Sequence, residues 1–438
     1  MIAIVGGGIA GLAAGYRLSR AGREVRIYEA ADRLGGLAAT YETAGDPIEQ
    51  YYHHLSASEE TVVSLIEEVG LGEDLHWPIG KNAYYMDGTV YPLDTPWEIA
   101  AYPYLSLYDT FRLGLLVLGI DGRGGIPDFD AYEELAAYED VPVEAFVREH
   151  TTDAVFENFF EPLLDAKFGD RKGDVSAAWL LGRVRFRGER DLLRGEPLGY
   201  LQGGFGRLTD ALVDAVGEAS IVTGTRVTDL QVGENGVESI AVEGAENGTK
   251  PVDAAVVAAM PNVLEELSGY HTDIEFQGTV CSVISMDESL SDTYWLNIGD
   301  EAPFGALIEH TNFVDPERYG GEHLLYVPKY VQSAEDPLFQ ATDEAVEARW
   351  LEGIESLFPD FDRSAVNWIE TARNPRTAPI YERGYLEKVV PFDLGAAVGD
   401  GVYYAGMASR AQYPERSLDG GIVAGFEVAD RILDAERP

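Results

Sequence analysis

The amino-acid sequence predicts an α/β fold, α+β overall, in which a parallel sheet is interleaved with a second domain of helices and a mixed or antiparallel sheet. Two observations predict this architecture. A strand, a glycine-rich loop, a helix and a second strand open the chain, and a strand followed by a glycine-rich helix closes it. Between the two ends, residues 97–165 have a mostly helical pattern, whereas residues 221–260 and 278–330 are rich in strand patterns.

The opening unit has the spacing of a nucleotide-binding loop. Residues 2–5 predict a short apolar strand, residues 9–21 a helix, and residues 24–28 a second strand that is followed by Glu29. A strand–turn–helix–strand context around a G-x-G-x-x-G spacing is the fingerprint of a Rossmann-type dinucleotide site. The three glycines of that spacing are Gly6, Gly8 and Gly11.

Each of these residues has a physical role in such a site. Gly6 permits the tight turn, Gly8 lets the backbone approach a pyrophosphate, and Gly11 lets the helix pack close to the strand. Free N–H groups at the start of the helix attract the phosphates. Glu29 can accept hydrogen bonds from both ribose hydroxyls and disfavours a 2′-phosphate. The sequence therefore predicts a dinucleotide cofactor.

The segment after Glu29 distinguishes FAD from NAD. It reads Asp-Arg-Leu-Gly-Gly at residues 32–36, and here the sequence resembles the flavin amine oxidase and protoporphyrinogen oxidase superfamily, whose second strand ends in an acid followed by R-x-G-G. The resemblance implies that Arg33, Gly35 and Gly36 run along the FAD pyrophosphate and ribityl chain. Leu37 stands where the superfamily usually has an arginine, so one polar contact is missing.

The closing segment is similar to the last FAD segment of the same superfamily. Residues 402–405 predict a strand that ends at Gly406, and residues 417–432 predict a helix that opens on glycine. The resemblance implies that Gly406 faces the ribityl phosphate and that the helix start, with Gly421 and Ile422, faces the pyrimidine edge of the flavin. A helix dipole there would stabilise an anionic reduced flavin. No cysteine lies in this segment, so we expect non-covalent FAD.

Because the two cofactor segments lie at opposite ends of the chain, the FAD-binding domain must be discontinuous. The resemblance implies residues 1–80, 200–275 and 385–438 for it, and residues 81–199 and 276–384 for the substrate-binding domain. No second G-x-G-x-x-G stands between predicted strands, so we expect no separate NAD(P)H domain.

Two histidines and a lysine are the candidates for catalysis. His53 and His54, two of the seven histidines, stand together after the first cofactor segment, and histidine can move protons near neutral pH. In a strand only one of them could face the flavin, and the alternative is a pair of structural histidines. UDP-galactopyranose mutases, which are related flavoenzymes, place a histidine-rich turn here. Lys329 could be the lysine that amine oxidases hold near flavin N5, or a solvated strand end, which we prefer.

The candidates for substrate binding are mainly arginines. Eight basic residues fall between Lys167 and Arg194, in a chain with a large acidic excess. Arginine forks bind carboxylates and phosphates, so this segment favours an anionic substrate, with local ion pairs as the alternative. Three of the arginines alternate as they would on one face of a strand, namely Arg183, Arg185 and Arg187.

Four further candidates rest on the resemblance. Glu309 and His310 look like the acid–histidine pair of a mutase strand, although apolar residues stand before it, where the mutases carry a diphosphate-binding arginine. Arg376 falls in the stretch that would line the substrate cavity, and Tyr413 in a stretch that would lie near the flavin. A structural loop or strand end is the alternative for each.

Composition limits the partners. Aspartate and glutamate outnumber lysine and arginine by 76 to 32, and the resulting formal net charge of −44 makes nucleic acid a poor partner. Lysine occurs 6 times and arginine 26 times, a balance that resembles proteins of salt-adapted, halophilic archaea. A single cysteine, Cys281, excludes an internal disulfide and a multi-cysteine metal site and suits a cytoplasmic protein. We expect no bound metal.

Residues 97–120 are rich in tyrosine and leucine. They could form an apolar substrate tunnel or a patch for peripheral membrane contact, but an ordinary buried helix is the reading we prefer. The most apolar part, residues 111–120, is too short to span a bilayer.

These observations predict an FAD-dependent oxidoreductase that transfers a hydride from a C–H bond of an apolar, anionic small molecule to flavin N5. An isomerase of the UDP-galactopyranose mutase type, in which reduced FAD acts without net redox change, is the alternative. A non-catalytic flavin-binding protein is the third possibility.

Overall fold

The computed structural model describes residues 1–120, 132–186, 191 and 193–435. A five-stranded parallel sheet gathers strands from both ends and the middle of the chain. All four residues of its central strand are buried, as expected for a parallel sheet covered by helices. The strand order is Ile221–Val222, Val25–Tyr28, Ile2–Val5, Ala254–Val257 and Val402–Tyr404.

Three helices form the layer that belongs to this sheet. The helix Ile9–Arg20 packs against both Gly206–Val216 and Leu418–Ala435. Its contact with the last helix is close because glycine is used there: a Cβ on Gly425 would lie 2.4 Å from the Ala10 carbonyl oxygen. The two ends of the chain are therefore joined in one packed layer.

A second, seven-stranded sheet carries most of the remaining strands. Its neighbours pair antiparallel, except that Trp295–Ile298 runs parallel to Asn82–Met86. Its order is Val366–Pro379, Phe276–Met286, His323–Val331, Ala306–Glu309, Trp295–Ile298, Asn82–Met86 and Thr89–Pro92. The helix Asp343–Leu357 contributes Trp350, Ile354 and Leu357 to the core on one face of this sheet.

Smaller elements complete the described part of the chain. A three-stranded antiparallel sheet comprises Thr225–Gly233, Gly236–Gly244 and Gly248–Pro251. Two-stranded pairs are Thr40–Tyr41 with Ile48–Glu49, Leu75–His76 with Tyr200–Leu201, and Ile79–Gly80 with Glu196–Pro197. The further helices are Glu60–Glu68, Pro96–Ala101, Leu107–Val117, Tyr132–Ala136, Val143–His150, Asp153–Val155, the π-helical turn Phe156–Phe160, Glu161–Phe168, Ala177–Phe186, Pro261–Ser268, Pro337–Gln340 and Tyr385–Lys388.

The predicted α/β fold with interleaved sheets is confirmed. The opening strand and helix and the closing helix lie within a few residues of their predicted bounds. The hairpin turn at Asp87 and Gly88 has both residues at positive φ, 48° and 73°, as a tight two-residue turn requires. The proposed division into two discontinuous domains stays a prediction. No helix in the described ranges has the length and apolar character needed to cross a membrane.

The strand predicted for the arginine segment is wrong. Residues Ala177–Phe186 form an α-helix that is buried from Ala177 through Leu181. Alanine and leucine are strong helix formers, and their preference overrides the two-residue alternation of the arginines. Residues two apart on a helix point about 200° apart, so Arg183 and Arg185 cannot share one face. Arg187 lies outside the described residues, and for Arg185 the structure describes only the backbone.

The stretch 97–120 is also not an ordinary buried helix. In the helix Leu107–Val117, Leu113 and Leu116 are buried, but Leu107 and Phe111 are 78% and 60% exposed. The helix therefore has an apolar face toward the protein and a second apolar face that the described residues leave uncovered.

Candidate active site

A cavity of about 1050 Å³ lies where the parallel strands end. Its walls include residues at or just after the carboxyl ends of four strands, for example Val5, Glu29, Ala258 and Gly406. Ligands of open parallel sheets bind at this edge. Ligand pockets commonly measure about 300–1,000 Å³, so this cavity has room for a large cofactor together with a small substrate.

The glycine loop forms one arm of the cavity. Gly6 and Gly8 line it, and a Cβ added to Gly8 would meet no protein atom within 4 Å, so the backbone there is open to a ligand. Gly11 lies beneath the loop and does not line the cavity. A Cβ on Gly11 would lie 2.0 Å from the Gly6 carbonyl oxygen, which explains glycine there by helix–loop packing.

Glu29 is fixed at the end of its strand. Its carboxylate accepts hydrogen bonds from the amides of Gly7, at 2.7 Å, and Ala31, at 2.8 Å, while the residue lines the cavity. The Glu29 carbonyl accepts a hydrogen bond from the amide of Thr225 at 2.8 Å. This bond brings the strand that begins at Thr225 to the cavity, so that Thr225, Arg226 and Val227 also line it. Sequence reasoning missed these three residues, because no local motif marks them.

The residues present fit a dinucleotide. Gly8, Ile9 and Ala10 line the cavity at the start of the helix Ile9–Arg20, where the first N–H groups have no intrahelical acceptor. A pyrophosphate would meet those donors and the positive end of the helix dipole. Gly35 and Gly36 line the same arm at positive φ values of 99° and 59°.

The closing segment forms the next part of the wall. Gly406, Ser417, Leu418 and Gly421 line the cavity where the last helix begins. Two other predicted cofactor contacts are not there. Ile422 is fully buried in an apolar core cluster and does not line the cavity, and Arg33 is exposed and does not line it either.

Both candidate histidines line the cavity, in contrast to the expectation that only one could do so. Residues 51–54 are irregular rather than a strand, so neighbouring side chains need not point to opposite faces. His53 Nδ1 lies 2.6 Å from the Tyr51 carbonyl oxygen, and His54 Nδ1 lies 2.9 Å from the Tyr294 hydroxyl. Burial lowers the pKa of His53 to about 4. His53 is therefore neutral at pH 7, and because a carbonyl can only accept, Nδ1 carries its proton and Nε2 is left as the acceptor.

Lys329 and four predicted substrate contacts lie away from the cavity. The four are Glu309, His310, Arg376 and Tyr413. Lys329 belongs to the strand His323–Val331, and its neighbours Pro328 and Tyr330 line the cavity, so alternation turns Lys329 to the other face. Burial lowers the pKa of Lys329. Arg376 is exposed at the end of an outer strand. Tyr413 is buried, and its hydroxyl donates to Glu139.

Glu309 and His310 are structural rather than cavity residues. The Glu309 carboxylate accepts hydrogen bonds from the amides of Leu290 and Ser291, both at 2.9 Å, and from the Ser289 hydroxyl at 2.6 Å. It therefore holds the loop that precedes the strand Trp295–Ile298. His310 Nε2 lies 2.7 Å from the Tyr319 hydroxyl, and burial lowers the pKa of His310 to about 3. The mutase-like acid–histidine pair is thus absent from the cavity wall.

Four charged side chains and one tryptophan also line the cavity and are named the Glu415 cluster: Lys167, Trp179, Arg183, Glu415 and Arg416. Glu415 accepts hydrogen bonds from Lys167, from Arg183 at 2.9 Å, and from the Trp179 indole at 2.8 Å. Burial opposes ionisation of Glu415, but Lys167 and Arg183 outweigh it and lower its pKa to about 2. Arg183 was predicted as a substrate contact, whereas the other four were missed as a group because they are far apart in sequence.

Much of the remaining wall is apolar. It is built from the helix Leu107–Val117, the π-helical turn Phe156–Phe160 and the helices that follow. Val117 and Leu118 line the cavity although they are 49% and 68% exposed, which marks this helix end as part of the cavity mouth. Apolar side chains in this wall are Leu93, Ile99, Leu113, Phe159, Phe160, Leu163 and Leu164.

Comparisons with known proteins agree with this geometry. A family model described as flavin containing amine oxidoreductase matches residues 9–433. The coproporphyrinogen III oxidase of Propionibacterium freudenreichii subsp. freudenreichii is 23% identical over an alignment of 508 residues that covers 99% of this chain and 89% of that protein.

Two solved structures show the same fold. Cyclohexylamine oxidase from Brevibacterium oxydans IH-35A superposes with a TM-score of 0.71 at 18% identity, covering 100% of this chain and 99% of that chain. Reduced UDP-galactopyranose mutase superposes with a TM-score of 0.73 at 16% identity, covering 100% of this chain and 96% of that chain.

Proposed function

The chain belongs to the flavin-containing amine oxidoreductases and takes FAD as its cofactor, and we propose that it transfers a hydride from a C–H bond of an apolar, anionic small molecule to N5 of a non-covalently held flavin. The observation that carries the proposal is a single cavity with two kinds of wall. One arm is a dinucleotide cradle, and another part combines apolar side chains with the positively charged Glu415 cluster.

Different residues of the dinucleotide cradle hold different parts of FAD. Glu29 accepts hydrogen bonds from the ribose, and the start of the helix Ile9–Arg20 binds the pyrophosphate. The start of the last helix, at Leu418, directs its positive end toward the cavity. FAD supplies the acceptor for two electrons, and the protein supplies position and electrostatics.

The apolar wall positions the substrate. Its leucine and phenylalanine side chains exclude water and take an apolar body, which enters at the mouth beside Val117 and Leu118. His53, neutral and with Nε2 free to accept, holds or receives a proton at the cavity wall. The relative that spans 99% of the chain is named for coproporphyrinogen III, and a reduced porphyrin with acid groups is a candidate substrate.

The test is anaerobic reduction of the purified, FAD-loaded protein in molar KCl. We expect coproporphyrinogen III, or another amphipathic acid with an activated C–H bond, to bleach the oxidised flavin spectrum and to appear as a product two electrons more oxidised. Amines of similar size, which carry no anionic group, serve as the comparison class. A flavin that neither the porphyrinogens nor the isoprenoid acids of the panel reduce, or that only the amines reduce, would contradict the proposal.

An isomerase of the UDP-galactopyranose mutase type is the second candidate. The two histidines on the cavity wall support it. The position of Glu309 and His310 away from that wall opposes it. Conversion of UDP-galactopyranose only after dithionite reduction of the flavin, with no net oxidation, would establish it in place of the oxidoreductase.

A further inference from the structure

Positive charge is in excess at the Glu415 cluster. It contains three cations, Lys167, Arg183 and Arg416, and one carboxylate. In a chain of net charge −44, acidic partners are abundant, yet none of the other carboxylates that the structure describes pairs with these cations. Uncompensated charge inside a cavity is costly. The excess positive charge would therefore be balanced by an anionic group of a bound ligand.

Arg416 is the cation of the cluster whose N–H donors are not used by Glu415. Glu415 accepts hydrogen bonds from Lys167, Arg183 and the Trp179 indole, and none from Arg416 among the contacts of the described residues. Among the described residues, Arg416 makes one side-chain hydrogen bond, from Nη2 to the Tyr330 hydroxyl at 3.4 Å. A guanidinium has five N–H donors in a planar fork. Arg416 lines the cavity, so the donors that Tyr330 does not use are available to a ligand there.

The neighbours hold the cluster in place. The Lys167 ammonium and the Arg183 guanidinium lie 5.0 Å and 5.2 Å from the centre of the Trp179 ring. Tyr330 in turn lies 3.2 Å from the Tyr52 hydroxyl. Burial disfavours ionisation of Tyr330, but Arg416 and Lys167 outweigh it and lower the pKa of that phenol, which is the effect expected of local positive excess.

We infer that Arg416, with Lys167 of the same cluster, binds a carboxylate or phosphate group of an amphipathic substrate, whose hydrocarbon body lies along the apolar wall. The inference rests on the proposed function and adds to it the position of the anion and the residue that selects it. The Gly8 loop and the start of the first helix take the phosphates of the cofactor, so those phosphates do not need Arg416.

The test compares two ligands that differ only in charge, decanoate and decanol, titrated into FAD-loaded protein and followed by calorimetry and by the flavin difference spectrum. We expect decanoate to bind at least tenfold more tightly than decanol. Arg416→Gln should remove that preference, and Arg416→Lys should retain part of it. Arg376→Gln, which changes an exposed arginine away from the cavity, should leave the preference unchanged.

Three results would overturn the inference. The first is equal binding of decanoate and decanol by the unchanged protein. The second is an Arg416→Gln protein that keeps the preference for decanoate but shifts the reduction potential of the flavin, since Arg416 would then act on the cofactor. The third is binding of inorganic phosphate, titrated alone, that is as tight as the binding of decanoate. The site would then recognise a free anion rather than an amphipathic substrate.

Failure of the proposed function is separable from failure of this inference. The titrations require no turnover, so a protein that prefers decanoate through Arg416 but oxidises no substrate keeps the anion site and loses the oxidoreductase assignment. Flavin content and circular dichroism of both Arg416 variants check folding, and Arg416→Lys preserves the charge if Arg416→Gln does not fold.

Discussion

The Glu29 carboxylate accepts a hydrogen bond from the amide of Gly7 at 2.7 Å, which ties the end of the second strand to the glycine loop after the first. The two segments that a dinucleotide must touch together, a ribose-binding acid and a phosphate-binding loop, are thereby held in fixed relation before any ligand arrives. Preorganisation of this kind reduces the entropy that binding would otherwise cost.

Removal of this carboxylate should reduce cofactor retention. We expect Glu29→Ala to purify with much less FAD, since both the ribose acceptor and the bond to Gly7 are lost. The absorbance ratio at the flavin and protein maxima measures the occupancy. Glu24→Ala, which changes an exposed acid just before the same strand, is the matched control. Full flavin occupancy of Glu29→Ala would remove Glu29 from the site.

Two glycines of the same loop should respond differently to alanine. A Cβ at Gly8 meets nothing within 4 Å, whereas a Cβ at Gly11 would lie 2.0 Å from the Gly6 carbonyl oxygen. Gly8→Ala should therefore fold with a nearly unchanged melting temperature without FAD but bind FAD more weakly. Gly11→Ala should melt at a lower temperature with or without FAD. Equal melting temperatures for the two FAD-free variants would contradict this division between ligand approach and packing.

The local part of the site could be predicted from the sequence, because its chemistry depends on short spacings. Gly6, Gly8 and Glu29 all lie on one strand–loop–helix–strand unit whose geometry follows from those spacings. The Glu415 cluster could not, since the Lys167–Glu415 hydrogen bond joins residues 248 positions apart. Only the packing of the helices Glu161–Phe168 and Ala177–Phe186 against the closing segment brings them together.

The arginine segment shows how a candidate substrate contact was placed on the wrong element. Arg183 lines the cavity, but it does so from a helix rather than from a strand. The alternation of the arginines predicts a strand, whereas the alanines and leucines that precede them favour a helix. The helix preference of those residues determines the backbone conformation, and the arginines lie on the same helix. Lys329 is the opposite case. It lies on a strand, as the sequence predicts, but its side chain is on the face of that strand that is turned away from the cavity.

Loss of the Glu415 carboxylate should destabilise the protein. Glu415→Gln leaves Lys167 and Arg183 without their counter-charge at partly buried positions, and removal of one partner of a buried ion pair typically costs about 3–5 kcal/mol. Urea unfolding in constant salt measures the change in the free energy of unfolding. Glu427→Gln is the control, because its pair with Arg431 is 40–46% exposed and should contribute less than about 1 kcal/mol.

The Glu415 contribution should also depend on pH. The folded protein lowers the pKa of Glu415 from 4.5 to about 2, so the carboxylate stabilises the fold fully above pH 4.5 and loses that contribution as the pH falls toward 2. The difference in unfolding free energy between the unchanged protein and Glu415→Gln should therefore shrink across this window. A constant difference from pH 6 to pH 3 would show that the carboxylate acts through packing rather than charge.

His310 should give the stability of the protein a second pH dependence, of the same sign but in a different window. Burial lowers its pKa from 6.5 to about 3, so between these values the unfolded chain takes up a proton that the folded protein excludes. Stability must then fall as the pH is lowered from 6.5, by at most about 1.4 kcal/mol per pH unit for this one group. His310→Gln, which can still contact the Tyr319 hydroxyl, should flatten the slope of unfolding free energy between pH 6.5 and pH 4, whatever its effect at pH 7. His76→Gln, at an exposed histidine, should leave the slope as it is. Identical slopes in His310→Gln and the unchanged protein would mean that His310 is protonated in the folded state, and the neutral role assigned to it beside Tyr319 would be wrong.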